Sequence, residues 1–254
     1  MPLSVIAITK NEAAMIRRCL SSVSWADEII VVDSGSTDDT VAICREFTPH
    51  VISAEWPGFG PQKNRALDLA TGTWVLALDA DEYLPIPAQT EIQRVLAAEE
   101  KGVDAYRIPR LSSYCGRFMG HGGWYPDYVI RLFRRGRARF SDDIVHERLV
   151  VQGTVGTLSS PLHHETYRDL EEVLHKIDSY STAGAAMAAK KGRRGSLPKA
   201  LMHGVWAFVR TYFVQLGLLD GPEGLMLAIS NAEVTYYKYL KLRLLTQTRD
   251  GHES

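Results

Sequence analysis

Four short apolar segments in the first 85 residues, each rich in Val, Ile or Trp, constrain the fold most. They are LSVIAIT, EIIVVDS, HVISAEW and TWVLALDAD, and their length and composition are typical of strands. Helical patterns lie between them: Ile16, Leu20 and Val23 share one face after Asn11, which we expect to cap a helix. Alternating strands and helices predict an α/β fold with a Rossmann-like, doubly wound, mostly parallel sheet.

The pattern changes after Pro85. A helix (AQTEIQRVLAAEEKG) precedes three further strands, AYRIPRL, YVIRLFRRG and ERLVVQG, and from about Asp169 the sequence is helical. We therefore expect one domain over 1–168, with halves 1–85 and 86–168, and a helical extension over 169–254.

Composition narrows the class of protein. The 254 residues carry a net charge of −1, so no overall charge favours a nucleic-acid partner. The three cysteines have no metal-ligand spacing, and the N-terminus enters a strand without a basic leader. We expect reduced thiols and a cytoplasmic location.

Polar residues follow three of the predicted strands. In a doubly wound sheet, ligands bind beyond the carboxyl ends of the strands, where these side chains should meet. They are Thr9, Asn11 and Glu12, then Asp33, then Asp79 and Asp81. Paired carboxylates suit Mg²⁺ or Mn²⁺, and with the Lys63-Asn64-Arg65 cluster they fit a bound diphosphate. The alternative for the acids is a solvated loop or a helix cap.

Three linked motifs add a resemblance to these residues. VIAITKNEAAMIRRCLSSV, EIIVVDSGSTDDT and GFGPQKNRALDLATGTWVLALDADE, in this order, resemble glycosyltransferase family 2, which has the GT-A fold. The later stretches HGGWYPDYVIRLFRRG, VHERL and PLHHETYRDLEEVLHKIDSYS resemble the branch with the lipopolysaccharide inner-core heptose β-glucosyltransferases.

The resemblance implies roles for the residues at the strand ends. The half 1–85 would bind the nucleotide sugar, with Thr9, Asn11 and Glu12 lining the nucleoside pocket and Asp33 accepting a hydrogen bond from uracil. Asp81 would hold the cation, with Asp79 near the ribose of the donor or near the metal, and Lys63 and Arg65 would lie near the phosphates. The alternative for Asp33 and Asn11 is a helix cap. The alternative for Lys63 or Arg65 is a solvated position on a helix face.

Transfer with inversion also needs a base for the acceptor hydroxyl. The acid pair of the family corresponds here to SDDIVHERL, where His146-Glu147 replaces the usual Glu-Asp. We expect Glu147 to be the base, ahead of Asp143 and then Asp142; an ion pair with Arg148 is the alternative for Glu147.

The half 86–168 would bind the acceptor. His164 fits the metal-binding histidine of the branch better than His163, although a structural histidine is the commoner case. Trp124 and Tyr125 could stack on a sugar or belong to the core. The nearby arginines suggest an anionic acceptor, or else a solvated strand face: Arg131, Arg134, Arg135, Arg137 and Arg139.

Together with the resemblance, these observations predict an inverting, metal-dependent glycosyltransferase that moves a hexose onto a heptose of the lipopolysaccharide inner core, and the expected donor is UDP-glucose. The alternatives are a polyprenyl-linked, capsule or peptide acceptor, or a non-catalytic scaffold that binds nucleotide or membrane. A nucleotidyltransferase is disfavoured, because the N-terminus has no glycine-rich, lysine-bearing phosphate loop.

The segment ALMHGVWAFVRTYFVQLGLLDG predicts where the enzyme works. His203, Arg210 and Gln215 interrupt it, so its uncharged stretches fall short of the ~20 apolar residues of a membrane crossing. Its aromatic residues and the upstream lysines and arginines are typical of a helix in the membrane interface. We expect peripheral association with the cytoplasmic face of the inner membrane; packing against the domain or a second subunit is the alternative.

Overall fold

A computed structural model describes residues 1–98, 102–141 and 148–250, with side chains up to 247. Its strands are β1 (Leu3–Thr9), β2 (Glu28–Asp33), β3 (Val51–Ser53), β4 (Trp74–Asp79), β5 (Glu82–Tyr83), β6 (Ala105–Tyr114), β7 (Arg117–Phe118), β8 (Asp127–Arg134), β9 (Ala138–Phe140), β10 (Leu149–Val151), β11 (Val155–Thr157) and β12 (Leu162–Tyr167).

Seven α-helices connect or follow these strands. They are α1 (Ile16–Ser21), α2 (Thr40–Arg45), α3 (Phe59–Leu69), α4 (Ile86–Ala98), α5 (Leu170–Lys190), α6 (Leu197–Val209) and α7 (Gly221–Asp250). A π-helical turn (Arg210–Val214) and a 3-10 turn (Gly217–Asp220) lie between α6 and α7.

Parallel pairing brings the ends of the first strands together. β1 pairs in parallel with both β2 and β4, and its register sets Thr9 beside Asp33 and Ile8 beside Asp79. All seven residues of β1 are buried, as expected for a central parallel strand with both faces covered. The strand order of the main sheet is β3-β2-β1-β4-β8-β6-β12-β5, in which β8 is antiparallel to β4 and β6. The predicted α/β class with a helical C-terminal region is confirmed.

One local prediction is wrong, because α1 does not begin beside Asn11. The helix starts at Ile16, and Asn11 has a left-handed backbone (φ 55°), which asparagine tolerates better than most residues. Its Oδ1 accepts a hydrogen bond from the Thr37 amide at 2.8 Å, so the side chain joins two loops instead of capping a helix.

Contacts within the chain define two compact units. One comprises Met1–Arg110 with Asp127–His164, and the other comprises Leu111–Pro126 with Glu165–Ser254. The first contains the parallel strands, and the second contains α5, α6 and α7 together with the stretch around HGGWYP. The domain limits predicted above, 1–168 and 169–254, stay a prediction.

The second unit, which we call the helical unit, contains a helix with a capped N-terminus. Asp169 accepts a hydrogen bond from the Glu172 amide and so caps α5, whose first turn carries Glu171 and Glu172, where the helix dipole favours acids. None of the helices in the described part of the chain is long and apolar enough to cross a membrane.

Candidate active site

A pocket of about 430 Å³ lies at the carboxyl ends of β1 and β4. This is the edge at which ligands bind in open parallel sheets. The described lining residues are Ile8, Thr9, Lys10, Glu12, Trp56, Phe59, Lys63, Asp79, Ala80, Asp81 and His164. The three predicted metal residues therefore lie in one cavity with part of the predicted donor residues.

Asp79 is held by two cations on opposite oxygens. The Lys63 ammonium lies 2.8 Å from Oδ1, and the Arg131 guanidinium donates to Oδ2. The same guanidinium donates to Glu82 Oε1 at 2.6 Å, and the Glu82 side chain is fully buried. Asp79 is thus part of an internal charge network.

The network sets the charge states of its members. Burial would raise the pKa of the Asp79 carboxyl, but the charges of Arg131 and Lys63 outweigh it and hold this pKa well below its usual range. Burial would lower the pKa of Arg131, and the charges of Asp79 and Glu82 raise it above its ordinary value. Asp79 is an anion at neutral pH with both oxygens engaged.

Asp81 and His164, two of the predicted metal ligands, lie side by side. His164 Nε2 lies 3.2 Å from Asp81 Oδ2, and both residues line the pocket. His163 does not line it; its Nδ1 contacts the Tyr83 hydroxyl at 2.9 Å. Among the described residues no group of three His, Cys, Asp or Glu side chains is arranged to hold an ion, and the metal role of Asp79 stays a prediction.

The predicted donor residues divide into two groups. Thr9, Glu12 and Lys63 line the pocket, and the buried Thr9 hydroxyl has no hydrogen-bond partner within the described chain. Asn11, Asp33 and Arg65 are not lining residues. Their roles in donor binding stay predictions.

Hydrogen bonds account for the positions of Asp33 and Arg65. Asp33 Oδ2 accepts from the amides of Gly35 and Ser36 at 2.9 and 3.0 Å, which stabilises the turn after β2. Arg65 Nη1 donates to Gln62 Oε1 at 2.6 Å and to the Glu55 carbonyl at 3.1 Å. Both contacts join Arg65 to neighbouring chain.

Arg131 does not lie where an acceptor-binding arginine was expected. Its side chain is buried between Asp79 and Glu82, with 7% of the residue exposed, and its Nε–H has no hydrogen-bond partner in the described part of the chain. Other arginines of this stretch also have internal partners: Arg135 with the Gly72 carbonyl, Arg137 with Asp104 and Arg139 with Asp68. The geometry favours a structural role for Arg131.

The predicted acceptor aromatics belong to the helical unit. The Trp124 ring packs 5.8 Å from Tyr114 and 5.7 Å from Tyr167 in a small hydrophobic cluster. Burial raises the pKa of Tyr167 to about 12, as expected for a phenol in apolar surroundings. These contacts give Trp124 a packing role, and acceptor binding by Trp124 or Tyr125 stays a prediction.

The predicted bases Glu147 and Asp143, with Asp142, lie outside the described residues. The strand before them is anchored, however. Asn64 Nδ2 donates to the Phe140 carbonyl at 2.9 Å, and Asn64 Oδ1 accepts from the Phe140 amide at 3.0 Å. Asn64, which the sequence grouped with two cations, instead ties α3 to β9.

Two pocket aromatics were missed by the sequence analysis. Trp56 and Phe59 are half-exposed at the pocket wall, and their rings meet edge-to-face at 4.7 Å. Trp56 had been placed in a predicted strand that ends three residues earlier, at Ser53. The signal that could have found them is the pair of large aromatics beside Pro57 and Gly58, which are loop residues.

Comparison with known proteins places the chain in a family. The family model described as "Glycosyl transferase family 2" matches residues 4–150, more than half of the chain. An uncharacterized glycosyltransferase of Rickettsia typhi is 31% identical over 96% of this chain and 87% of its own length. The lipopolysaccharide core biosynthesis glycosyltransferase LpsC of Rhizobium meliloti is 30% identical over 96% of this chain and 95% of its own.

One solved structure overlaps part of the chain. It is a glucosyl-3-phosphoglycerate synthase from Mycobacterium tuberculosis in complex with Mn²⁺ and UDP-glucose, 28% identical, with a TM-score of 0.37. The match covers 44% of each chain, which is too partial for a comparison of the two sites.

The sheet, its helices and the family match thus define an α/β enzyme with the GT-A architecture, as the sequence predicted. The chain belongs to glycosyl transferase family 2 and is a glycosyltransferase.

Proposed function

We propose that this glycosyltransferase is inverting and metal-dependent and transfers glucose from UDP-glucose onto a heptose of the lipopolysaccharide inner core. The observation that carries the proposal is the pocket in which Lys63, Asp81 and His164 meet at the ends of β1 and β4. A cation and a metal-ligating pair side by side suit a nucleoside diphosphate.

The acceptor part of the proposal is supported by a relative. LpsC is named for lipopolysaccharide core biosynthesis, and its similarity extends over nearly the whole of both chains. A core acceptor is attached to lipid, so we place the enzyme at the cytoplasmic face of the inner membrane.

The residues present fit Mg²⁺ or Mn²⁺. Asp81 and His164 offer one carboxylate and one imidazole, 3.2 Å apart. Such ions usually keep several waters and bind through one or two carboxylates plus substrate phosphates, so two protein ligands suffice. When bound, the ion supplies positive charge that stabilises the departing diphosphate.

The chain's own groups supply the remaining chemistry. Lys63 adds a fixed positive charge beside the pocket, and Thr9 lines the same pocket at the end of β1. Glu147, with Asp143 as the second candidate for the base, accepts the proton of the acceptor hydroxyl. That oxygen attacks the anomeric carbon from the face opposite to UDP. The glycosidic bond to UDP breaks, and the configuration inverts.

Calorimetry of UDP-glucose binding with and without Mn²⁺ tests the donor and metal assignment. Asp81→Ala should abolish the metal-dependent part of binding, since a diphosphate next to the remaining acids lacks its bridging charge. Asp39→Ala is the matched control, because Asp39 is exposed and its side chain makes no cap hydrogen bond. Binding by Asp81→Ala equal to that of the wild type would refute the metal assignment.

A second variant separates binding from chemistry. Glu147→Gln keeps the shape of the side chain but cannot accept a proton, so turnover should fall by about 10²–10⁴-fold while UDP-glucose affinity stays unchanged. Transfer to core acceptor isolated from a strain that lacks this gene measures turnover. Wild-type turnover in Glu147→Gln, together with loss in Asp143→Asn, would assign the base to Asp143.

A further inference from the structure

The outer face of α6 is apolar. Met202, Val205 and Trp206 are 63%, 64% and 57% exposed, and Leu201 completes the same stripe. The opposite side carries the buried Ala200 and Gly204. A surface helix normally has the reverse arrangement, with polar residues outside.

More large apolar side chains are exposed directly after α6 in the same helical unit. The π-helical turn, the 3-10 turn and the two residues between them also expose large apolar side chains: Phe213, Val214, Leu216, Leu218 and Leu219. We call these five side chains, together with Leu201, Met202, Val205 and Trp206 of α6, the apolar face. Soluble monomers rarely expose a contiguous apolar surface of this kind unless it binds a partner or a membrane.

The chain segment that contains the apolar face carries charged residues of one sign. Residues 179–219 contain no Asp or Glu, although the whole chain has 30 acids and 29 basic residues. The same stretch carries six exposed cations. Five lie before α6 or in its first turn and one follows it: Lys190, Lys191, Arg193, Arg194, Lys199 and Arg210. An anionic partner is therefore favoured.

We propose that the apolar face inserts shallowly into an anionic lipid bilayer while these six cations contact the lipid headgroups. Trp206 belongs to the residue types that concentrate at the headgroup level, and each lysine or arginine near an anionic surface adds to the attraction. This membrane contact rests on the proposed function, because an enzyme that acts on a lipid-linked acceptor has to work at the membrane.

A second copy of the chain fits this surface less well. In a two-fold symmetric dimer the same patch meets itself. Two copies joined through the apolar face would bring twelve cations together with no acid from residues 179–219 to offset them. A bilayer rich in anionic lipid offers the opposite charge and an apolar interior at once.

Flotation of the full-length protein with vesicles of phosphatidylcholine, with or without phosphatidylglycerol, tests the proposal. We expect binding to the anionic vesicles at low salt and release at high salt. Trp206→Glu and Val205→Glu should each lower the vesicle partition coefficient by about tenfold or more. Ile86→Glu is the control, because Ile86 is 71% exposed in the other compact unit and should leave binding unchanged.

The charge contribution has its own variant. Lys190→Gln with Lys191→Gln should weaken binding to anionic vesicles by about fivefold for each charge removed and should reduce the salt dependence. Arg45→Gln with Arg94→Gln removes two exposed charges elsewhere and should have no such effect. Circular dichroism melts confirm that all variants are folded.

Three outcomes would overturn the proposal. They are a wild type that ignores anionic vesicles at low salt, an Ile86→Glu that weakens binding as much as Trp206→Glu, and a dimer in solution that Trp206→Glu dissociates. UDP-glucose calorimetry on the same samples keeps the two proposals apart. Vesicle binding without donor binding refutes the proposed function alone, and donor binding without vesicle binding refutes the membrane surface alone.

Discussion

Removal of the Arg131 side chain should strongly destabilise the fold. It compensates Asp79 at the end of β4 and the fully buried Glu82 at the start of β5. Arg131→Met preserves much of the side-chain volume but removes the nearer of the two described cations beside Glu82. What remains is Arg110, whose Nη1 is 3.6 Å away, and the hydrogen bond from the Asp79 amide at 3.2 Å. Removing one partner of a buried ion pair costs about 3–5 kcal/mol, so the free energy of unfolding in urea should fall by that amount.

Arg139→Met provides the comparison for Arg131. Arg139 makes a two-point ion pair with Asp68 at 2.7 and 3.1 Å, but both side chains are more than half exposed. Solvent screening limits such a pair to about 0–1 kcal/mol. If the two variants lose equal stability, the buried network does not have the role assigned to it here.

At the scale of helices, the packing of α7 depends on glycine at position 195. A Cβ there would lie 2.4 Å from both the Arg243 amide nitrogen and the Tyr239 carbonyl oxygen, and neither backbone atom can move without displacing α7. Gly195→Ala should therefore lower the free energy of unfolding by about 1–3 kcal/mol, which lowers the thermal unfolding midpoint by several degrees. Differential scanning calorimetry of the whole chain measures the change.

Gly184→Ala should have a different outcome in the same helical unit. Its Cβ would meet only the side chain of Lys238, with the Cδ atom 3.1 Å away, and alanine favours the helical backbone of α5 by about 1 kcal/mol over glycine. We expect an unchanged or higher midpoint. A loss in Gly184→Ala as large as in Gly195→Ala would mean that any added methyl group disrupts the helices, whatever its neighbour.

The elements show what periodicity can and cannot predict. The ends of β1 and β4 meet because the strands are parallel, so Thr9, Asp79 and Asp81 could be placed from the alternating pattern alone. The pairing of Asp79 with Arg131 could not, because the two residues are 52 positions apart and no local pattern specifies a partner across the sheet. Asn64 was misjudged for the same reason: its partner Phe140 lies 76 positions away.

At the scale of the whole molecule, the buried thiol of Cys44 should make stability fall at alkaline pH. Burial, followed by the charge of Asp33, raises the pKa of Cys44 to about 11, whereas an unfolded thiol has a pKa of about 8.5. Because the folded pKa is higher, this contribution is complete below the unfolded pKa and is lost as pH rises through the folded value. The window is therefore about pH 8.5 to 11.

Urea unfolding at a series of pH values tests this contribution. One proton difference between the folded and unfolded states changes the free energy of unfolding by about 1.4 kcal/mol per pH unit, so the wild type should lose stability faster than Cys44→Ala across the window. Val23→Ala is the control, because Val23 is fully buried but does not titrate, and it should lower stability equally at every pH. A Cys44→Ala curve parallel to that of the wild type between pH 8.5 and 11 would show that the thiol does not titrate differently on folding.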